Sequence, residues 1–404
     1  MISEIIILSL ASIVGYNLEK IKLITKWKEI TNCNTKFTNK LGKTLKIWSI
    51  KEYKGYIKLK IELPYGYVFK DLQRDLDIFK EGLHFKSILL EQFDNIVFMN
   101  CVDNYEHLTY KPIKLMPYQL LIAEKLGNPI VVNMNYYPHM LIGGSTGSGK
   151  SRLLLCILSN LIYSSSSIDL YLLQVRKGDL GVFQDCIQTK CYSKNIYEVL
   201  NSLILINDIC LEREDLIDNR KGYYSIKDYN NDSNNKPMNY IYVIIEEFSF
   251  LNVSKGDTKE EKMIKNQCLK CIKTIVNVGR SSGIFLITSL QKPTNDSIPT
   301  DIKSQLCTRI SLYIEDEPTA RVITGDDMPT KLRRDRREII VKADKTIQGF
   351  AYAIDHNIVI NTIKGRVGYI DVEYNNVKYT PPLLEDKVNK DINDLRRIIN
   401  EDDK

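Results

Sequence analysis

Eight residues, Gly144-Ser-Thr-Gly-Ser-Gly-Lys-Ser151, limit the folds open to this chain more than any other segment. The spacing is a Gly, four free positions, then Gly-Lys-Ser, the pattern of a phosphate-binding P-loop. The glycines let backbone N–H groups turn inward onto phosphate oxygens without Cβ clashes. The flanks supply the required context. His139-Met-Leu-Ile142 leads in as an apolar strand, and Arg152-Leu-Leu-Leu-Cys-Ile-Leu158 leads out as a helix whose positive dipole end faces the anion. A strand–loop–helix unit of this kind commits its domain to an α/β architecture. The segment Gly144, Ser145, Thr146, Gly147, Ser148, Gly149, Lys150, Ser151 and Arg152 is therefore the candidate nucleotide cradle. Lys150 reaches the β- and γ-phosphates, and the Ser151 hydroxyl is a Mg²⁺ ligand. ATP and Mg²⁺ are the expected cofactors.

Two later segments fit the same chemistry. Tyr240-Ile-Tyr-Val-Ile-Ile245 is an apolar strand that ends in Glu246 and Glu247, as a Walker B strand does. One carboxylate must help to hold the metal and the next must orient or deprotonate the attacking water. By position Glu246 takes the first role and Glu247 the second. Ile284-Phe-Leu-Ile-Thr-Ser-Leu290 is another strand, ending at Gln291, whose amide is placed to sense the γ-phosphate. Arg280, between Gly279 and Gly283, is a candidate for a neighbouring subunit's site or for a plain surface ion pair.

Composition narrows the class. With 404 residues, 44% hydrophobic and 26% charged, the chain is globular and large enough for one big domain or two ordinary ones. A net charge of +6 is compatible with a polyanionic partner. The nine cysteines form no disulfide framework. Cys268 and Cys271 sit at helical spacing in an apolar stretch and read as core, and the four histidines are scattered, so no metal is expected there. The apolar run Ile5–Tyr16 is about a dozen residues, short of the roughly 20 that cross a bilayer. It reads as a packed helix or, at most, a weak membrane anchor through residues 1–16.

Along the chain, residues 1–43 read as an apolar helix followed by a basic linker or helix, 44–111 as a small α/β module, 112–384 as the motor core and 385–404 as a charged tail. Within the module, Tyr56–Leu63 alternates as a strand, Val68–Leu83 carries helical spacing and Ser87–Val102 is strand material. In the core, strands are expected at Ile130–Asn133, Met140–Gly143, Ile168–Val175, Tyr240–Ile245, Ile284–Ser289 and Arg309–Ile314. Helices are expected at Lys150–Tyr163, Ile196–Asn219 and about Lys259–Val278, with Lys221–Pro237 an exposed loop and a closing hairpin at Arg337–Ala343 and Gln348–Ala353. Apolar strands alternating with longer helices imply parallel βαβ units.

Taken in order, these residues resemble the FtsK/SpoIIIE family of DNA-pumping ATPases. Pro138-His-Met-Leu-Ile-Gly-Gly-Ser-Thr-Gly-Ser-Gly-Lys-Ser151 resembles the family's entry to its P-loop, and Glu246-Glu-Phe-Ser-Phe-Leu251 its Asp-Glu-Phe-Ala-Asp-Leu. Ile226-Lys-Asp-Tyr-Asn230 resembles the segment before Walker B. Gly279-Arg-Ser-Ser-Gly283 and Gln291-Lys-Pro293 resemble its Gly-Arg-Ala-x-Gly and Gln-Arg-Pro. Thr308-Arg309-Ile310 and Ala320-Arg321 resemble its later Arg-bearing positions, which adds Arg309 to the catalytic candidates. Glu246 stands where the family usually has Asp, and Leu290 where it tends to have Thr.

The resemblance covers about Pro112 to Ala353. It implies a RecA-like motor with a small accessory α/β domain, a homo-hexameric ring and DNA as the substrate. No winged-helix reader and no multi-span membrane domain are expected. The compact form is similar to the coupling ATPases of conjugative elements, which implies a relaxase and membrane transfer-channel proteins as partners. The implied location is cytoplasmic, at the inner face of the cell membrane. A plasmid or chromosome partition pump and a nucleotide-gated docking protein for a relaxase–DNA complex are the competing expectations. The basic run Lys331–Arg337 is a candidate for phosphate contact, on DNA or on a neighbour's nucleotide, as well as an ordinary solvated face.

Overall fold

The computed structural model describes residues 2–367 apart from 54, 94–95, 104–107, 176–177, 220–221 and 292–296; side chains are described from residue 18 onward, that of 336 excepted. The expected charged tail, Lys292 and Pro293 lie outside the described residues. The chain divides into two compact units, Met1–Leu108 and Thr109–Lys404.

The first unit begins with a long helix, α1 (Ile2–Cys33). There follow strands β1 (Lys46–Tyr53) and β2 (Tyr56–Glu62), helices α2 (Phe69–Arg74) and α3 (Leu76–Leu83), and strands β3 (Ser87–Phe93) and β4 (Ile96–Val102). The strands form one antiparallel sheet in the order β1-β2-β4-β3. The segment from Lys20 is no linker: it continues α1 to Cys33, and Leu23 and Trp27, four apart, are buried. The Trp27 ring lies 4.7 Å from that of Phe79 on α3, and its Nε1 donates to the Leu45 carbonyl at 3.0 Å. Strand β1 was not anticipated. Most of its residues are exposed, so it lacks the apolar alternation that marks a strand.

The second unit is built on a ten-stranded sheet. Its elements in order are β5 (Gln119–Lys125), β6 (Asn128–Asn133), β7 (Met140–Gly143), α4 (Lys150–Ser164), β8 (Ile168–Leu173), β9 (Thr189–Tyr192), α5 (Ile196–Asp218) and α6 (Ile226–Asn231). Then come β10 (Tyr240–Ile245), α7 (Lys259–Ser282), β11 (Ile284–Leu290), α8 (Thr300–Gln305), β12 (Thr308–Ser311), α9 (Glu317–Thr324), β13 (Glu338–Lys342), β14 (Thr346–Phe350) and α10 (His356–Ile363). The strand order is β6-β5-β14-β13-β12-β7-β11-β10-β8-β9. From β12 to β9 neighbouring strands run parallel; from β12 to β6 they run antiparallel.

Helices cover both faces. Leu153–Leu158 of α4 are buried throughout, so this helix is apolar on every side, as one held in a core must be. With Ile226 and Tyr229 of α6 and Val359 and Ile363 of α10 it closes one face. Helices α5 and α7, with residues of α8 and α9, close the other. Strands covered on both faces read as unbroken apolar runs, and β10 is buried at all six positions. Cys268 and Cys271 are buried in the second of these cores, as their spacing suggested.

Three expectations need correction. The 221–237 segment is not a free loop: Ile226 and Tyr229 anchor α6, and the Asn230 amide both donates to and accepts from the Met238 backbone at 2.8 Å. Strand β12 ends at Ser311 rather than Ile314. Strand β5 went unanticipated; it joins β6 through Leu126 (φ 53°) and Gly127 (φ 82°), a two-residue turn with both φ positive, where leucine is an unusual first residue.

Candidate functional site

The parallel strands bring their C-terminal ends to one rim of the sheet. The P-loop leaves β7, Gln174 follows β8, Glu246 and Glu247 follow β10, and Gln291 follows β11. Topology alone thus gathers residues far apart in sequence, at the rim where open α/β sheets bind ligands. Between them lies a cleft of about 330 Å³ lined by Lys150, Ser151, Gln174, Glu246, Glu247 and Gln291 among others.

The loop needs its glycines. Gly147 and Gly149 take φ of +73° and +107°, the left-handed region where a side chain is strained. Lys150 opens α4, is 8% exposed, and donates to the Gly144 and Ser145 carbonyls. Burial pulls its ammonium below the usual lysine range, the Glu247 charge opposes this and the positive charge of Arg334 adds to it. A desolvated ammonium at the head of α4, where the helix dipole is positive, is a site for an anion.

Glu246 is held from three sides. Ser151 Oγ donates to Oε1 at 3.4 Å, Gln174 Nε2 donates to Oε2 at 2.8 Å, and the Ser289 hydroxyl donates to its backbone carbonyl. Burial and then the Asp179 charge push its pKa up, with the Ser151 hydrogen bond working against them. Glu247 accepts from Ser249 Oγ at 2.8 Å and from the Gln291 N–H at 3.1 Å. Its pKa is also raised, chiefly by burial, against the hydrogen bonds from Ser249 and Gln291. Thr146 Oγ1 lies 3.5 Å from Gln291 Oε1, which places the amide over the P-loop. A carboxylate pushed toward neutrality by burial gains from a cation or a proton.

The donor set suits Mg²⁺. Ser151 Oγ and Glu246 Oε1 are hard oxygen ligands facing each other across 3.4 Å, near the roughly 3 Å that adjacent ligands of an octahedral Mg²⁺ take at metal–oxygen distances of about 2.0–2.1 Å. Among the described residues no group of three or more His, Cys, Asp or Glu forms a self-sufficient metal cage.

Sequence reasoning missed several groups. Gln174 and Ser289 position Glu246, yet neither lies in a recognisable motif. Gly178 is the wall against it: a Cβ there would come within 2.0 Å of Glu246 Oε2. The expected strand Ile168–Val175 ran through Gln174; β8 ends at Leu173, which leaves Gln174 at the rim beside Glu246 and Gln291.

Two candidates are not brought to this cleft. Arg280, at the end of α7 near the opposite rim, donates to the Asn135 carbonyl at 3.0 Å. Arg309 donates to the carbonyls of Leu306, Lys303 and Ile323 at 3.2–3.4 Å, closing the ends of α8 and α9. Arg152 is exposed.

Residues 115–295 match the FtsK/SpoIIIE family. A DNA translocase FtsK of Staphylococcus aureus is 29% identical over 217 residues, which are 51% of this chain and 26% of that protein. The FtsK of Lactiplantibacillus plantarum is 24% identical over 77% of this chain and 39% of its own length. The chain thus spans about a quarter to two fifths of these curated relatives. Among solved structures, the pCW3 conjugation coupling protein TcpA, in a monomer form with ATPγS, superposes with a TM-score of 0.59 at 20% identity, covering 85% of this chain and 99% of that one. The cytoplasmic domain of the type VII secretion ATPase EccC from Thermomonospora curvata gives 0.53 at 18% identity over 65% of this chain and 32% of its own.

Proposed function

We propose that this chain, an FtsK/SpoIIIE-type protein through residues 115–295, is an ATP-driven DNA translocase that serves as the coupling ATPase of a conjugative transfer channel. The cleft that faces Lys150 and Ser151 with Glu246, Glu247 and Gln291 carries the reading. Lys150 places a point charge on the β- and γ-phosphates. Ser151 and Glu246 would hold Mg²⁺, which would supply charge neutralisation at the phosphoryl oxygens. Gln174 fixes the Glu246 carboxylate for that task. Glu247, raised in pKa and aimed by Ser249 and Gln291, orients the attacking water and accepts its proton. Gln291, touching both the P-loop and Glu247, couples the state of the γ-phosphate to the carboxylate that activates the attacking water.

DNA as the substrate is supported by the curated relatives, which are named as DNA translocases. The conjugative role is supported by a fold likeness that extends over 99% of the TcpA chain. A homo-hexamer would give Arg280 and Arg309 a neighbour's nucleotide to meet. Among the described residues no helix is long and apolar enough to cross a membrane. The test is the ATPase rate without DNA, with single-stranded DNA and with duplex, together with displacement of a third strand from a duplex track. DNA-stimulated hydrolysis with displacement is expected. Hydrolysis that ignores DNA, with a relaxase–DNA complex still bound, would replace the motor with a docking protein.

A further inference from the structure

The P-loop has a second flank, away from the carboxylates. There the chain leaving β12 turns along the loop. The Ser145 N–H donates to the Tyr313 carbonyl at 2.9 Å, and the Glu315 N–H donates to Ser145 Oγ at 3.3 Å. Leu312 packs so close that a Cβ on Gly144 would meet its Cβ at 3.1 Å. Over the Tyr313 ring lies the guanidinium of Arg334, 5.3 Å from the centroid.

Arg334 differs from its neighbours in the basic run. Lys331 pairs with Asp327 at 3.0 Å and Arg333 with Asp335 at 3.5 Å. Arg334 has no carboxylate within ion-pair distance among the described residues. Its charge is felt at Lys150. Two cations held near one loop repel each other, and an anion between them would relieve both. A guanidinium held over an aromatic ring makes no hydrogen bond there and keeps its N–H groups for phosphate oxygens.

We propose that Arg334, seated on Tyr313, binds the phosphates of the nucleoside triphosphate held by its own chain's P-loop. The chain turn at Leu312–Glu315 is then part of the nucleotide site, locked to Ser145 by two hydrogen bonds. The basic run acts in cis at this one position, not on DNA and not on a neighbour. The proposal rests on the nucleotide-binding reading of the P-loop.

The experiment titrates ATPγS with Mg²⁺, and separately adenosine, into dilute monomeric protein. The chains compared are the parent, Arg334→Ala, Arg334→Lys, Arg333→Ala and Lys150→Ala. Ligand-free unfolding curves accompany each; Arg334 is exposed, so these should coincide. Arg334→Ala should weaken ATPγS binding about tenfold, the loss expected of one charge-assisted contact, with the lysine variant partly recovered. Arg333→Ala should match the parent, and adenosine should bind all chains alike. Parent-like ATPγS affinity in Arg334→Ala would overturn the proposal; if that variant also lost DNA-stimulated turnover, the residue would belong to DNA or to a neighbouring site. Parent-like affinity in Lys150→Ala would instead remove the nucleotide reading on which the proposal stands.

Discussion

The two rims of the parallel sheet use similar polar residues to opposite ends. At the C-terminal rim, polar side chains answer one another: Ser151 and Gln174 to Glu246, Ser249 to Glu247, and Thr146 to Gln291, whose backbone N–H also donates to Glu247. At the N-terminal rim they are spent on fixed backbone. Arg213, 9% exposed, donates to the carbonyls of Ser282 and Asn239, both at 2.9 Å, tying the end of α7 to the start of β10. The His139 imidazole accepts from the Leu286 N–H at 3.0 Å through Nδ1, and Ser282 Oγ donates to the Cys210 carbonyl at 3.1 Å. Side-chain pairs can exchange partners when a ligand arrives, whereas a guanidinium locked on two carbonyls cannot. One rim is built to change its bonds and the other to keep them.

The sharpest way to break this contrast is Glu247→Gln. Turnover should fall by about 10³-fold while nucleotide still binds, since an amide cannot take the water's proton. Ligand-free stability should rise at neutral pH. The sign follows from the raised carboxyl pKa: the folded chain holds the proton more tightly, so ionisation above that pKa costs stability, and the amide removes the cost. Unfolding curves and single-turnover kinetics read both effects, and a variant both inactive and less stable would place Glu247 with the structural residues.

On the other rim, Arg213→Ala should cost about 3 kcal/mol, because two buried carbonyls and a packed side chain lose their partners. Denaturant midpoints would show it. Activity per folded molecule should be close to the parent's, and a large fall in it would mean that this rim takes part in the chemistry.

His139 gives a pH-dependent version. It is fully buried, and burial lowers its pKa to about 4. The unfolded chain gains this proton below about 6.5 and the folded chain does not, so stability should fall as the pH drops from 6.5 toward 4, by up to about 3 kcal/mol. Comparing His139→Asn with the parent across that window isolates the contribution; identical pH slopes would rule it out. The smallest effect belongs to Arg280→Ala. Its hydrogen bond to the Asn135 carbonyl is exposed, so the isolated chain should lose no more than about 1 kcal/mol. A large loss of turnover confined to the assembled form would assign it to a neighbour's site.

Much of the active rim was legible because its chemistry is local in sequence. A P-loop is eight consecutive residues, and Glu246, Glu247 and Gln291 each end an apolar run of the kind that central parallel strands require. The partners that tune them were hidden because they depend on which strands become neighbours. Nothing in Gln-Val at 174–175 or in Leu-Tyr at 312–313 reveals that the first will hold Glu246 and the second will brace Ser145. Edge elements were harder still. Strand β1 exposes most of its side chains and β5 turns through a leucine with positive φ, so neither carries the periodicity or turn chemistry that sequence reading depends on.

Helix α7 has 24 residues and so spans about 36 Å. Its first turn is pinned close to the chain leaving Glu247: Thr258 and Glu261 cap it reciprocally, and Lys265 bonds the Asn252 carbonyl at 3.1 Å. Its far end carries Arg280 and stops at Gly283. Bonded at both ends, a rod of that length is a strut. The Gly283 carbonyl accepts from the Ile241 N–H at 2.9 Å, and Arg213 ties the carbonyls of Ser282 and Asn239 together, so a displacement at one end of α7 would reach the other only with the strands moving beside it.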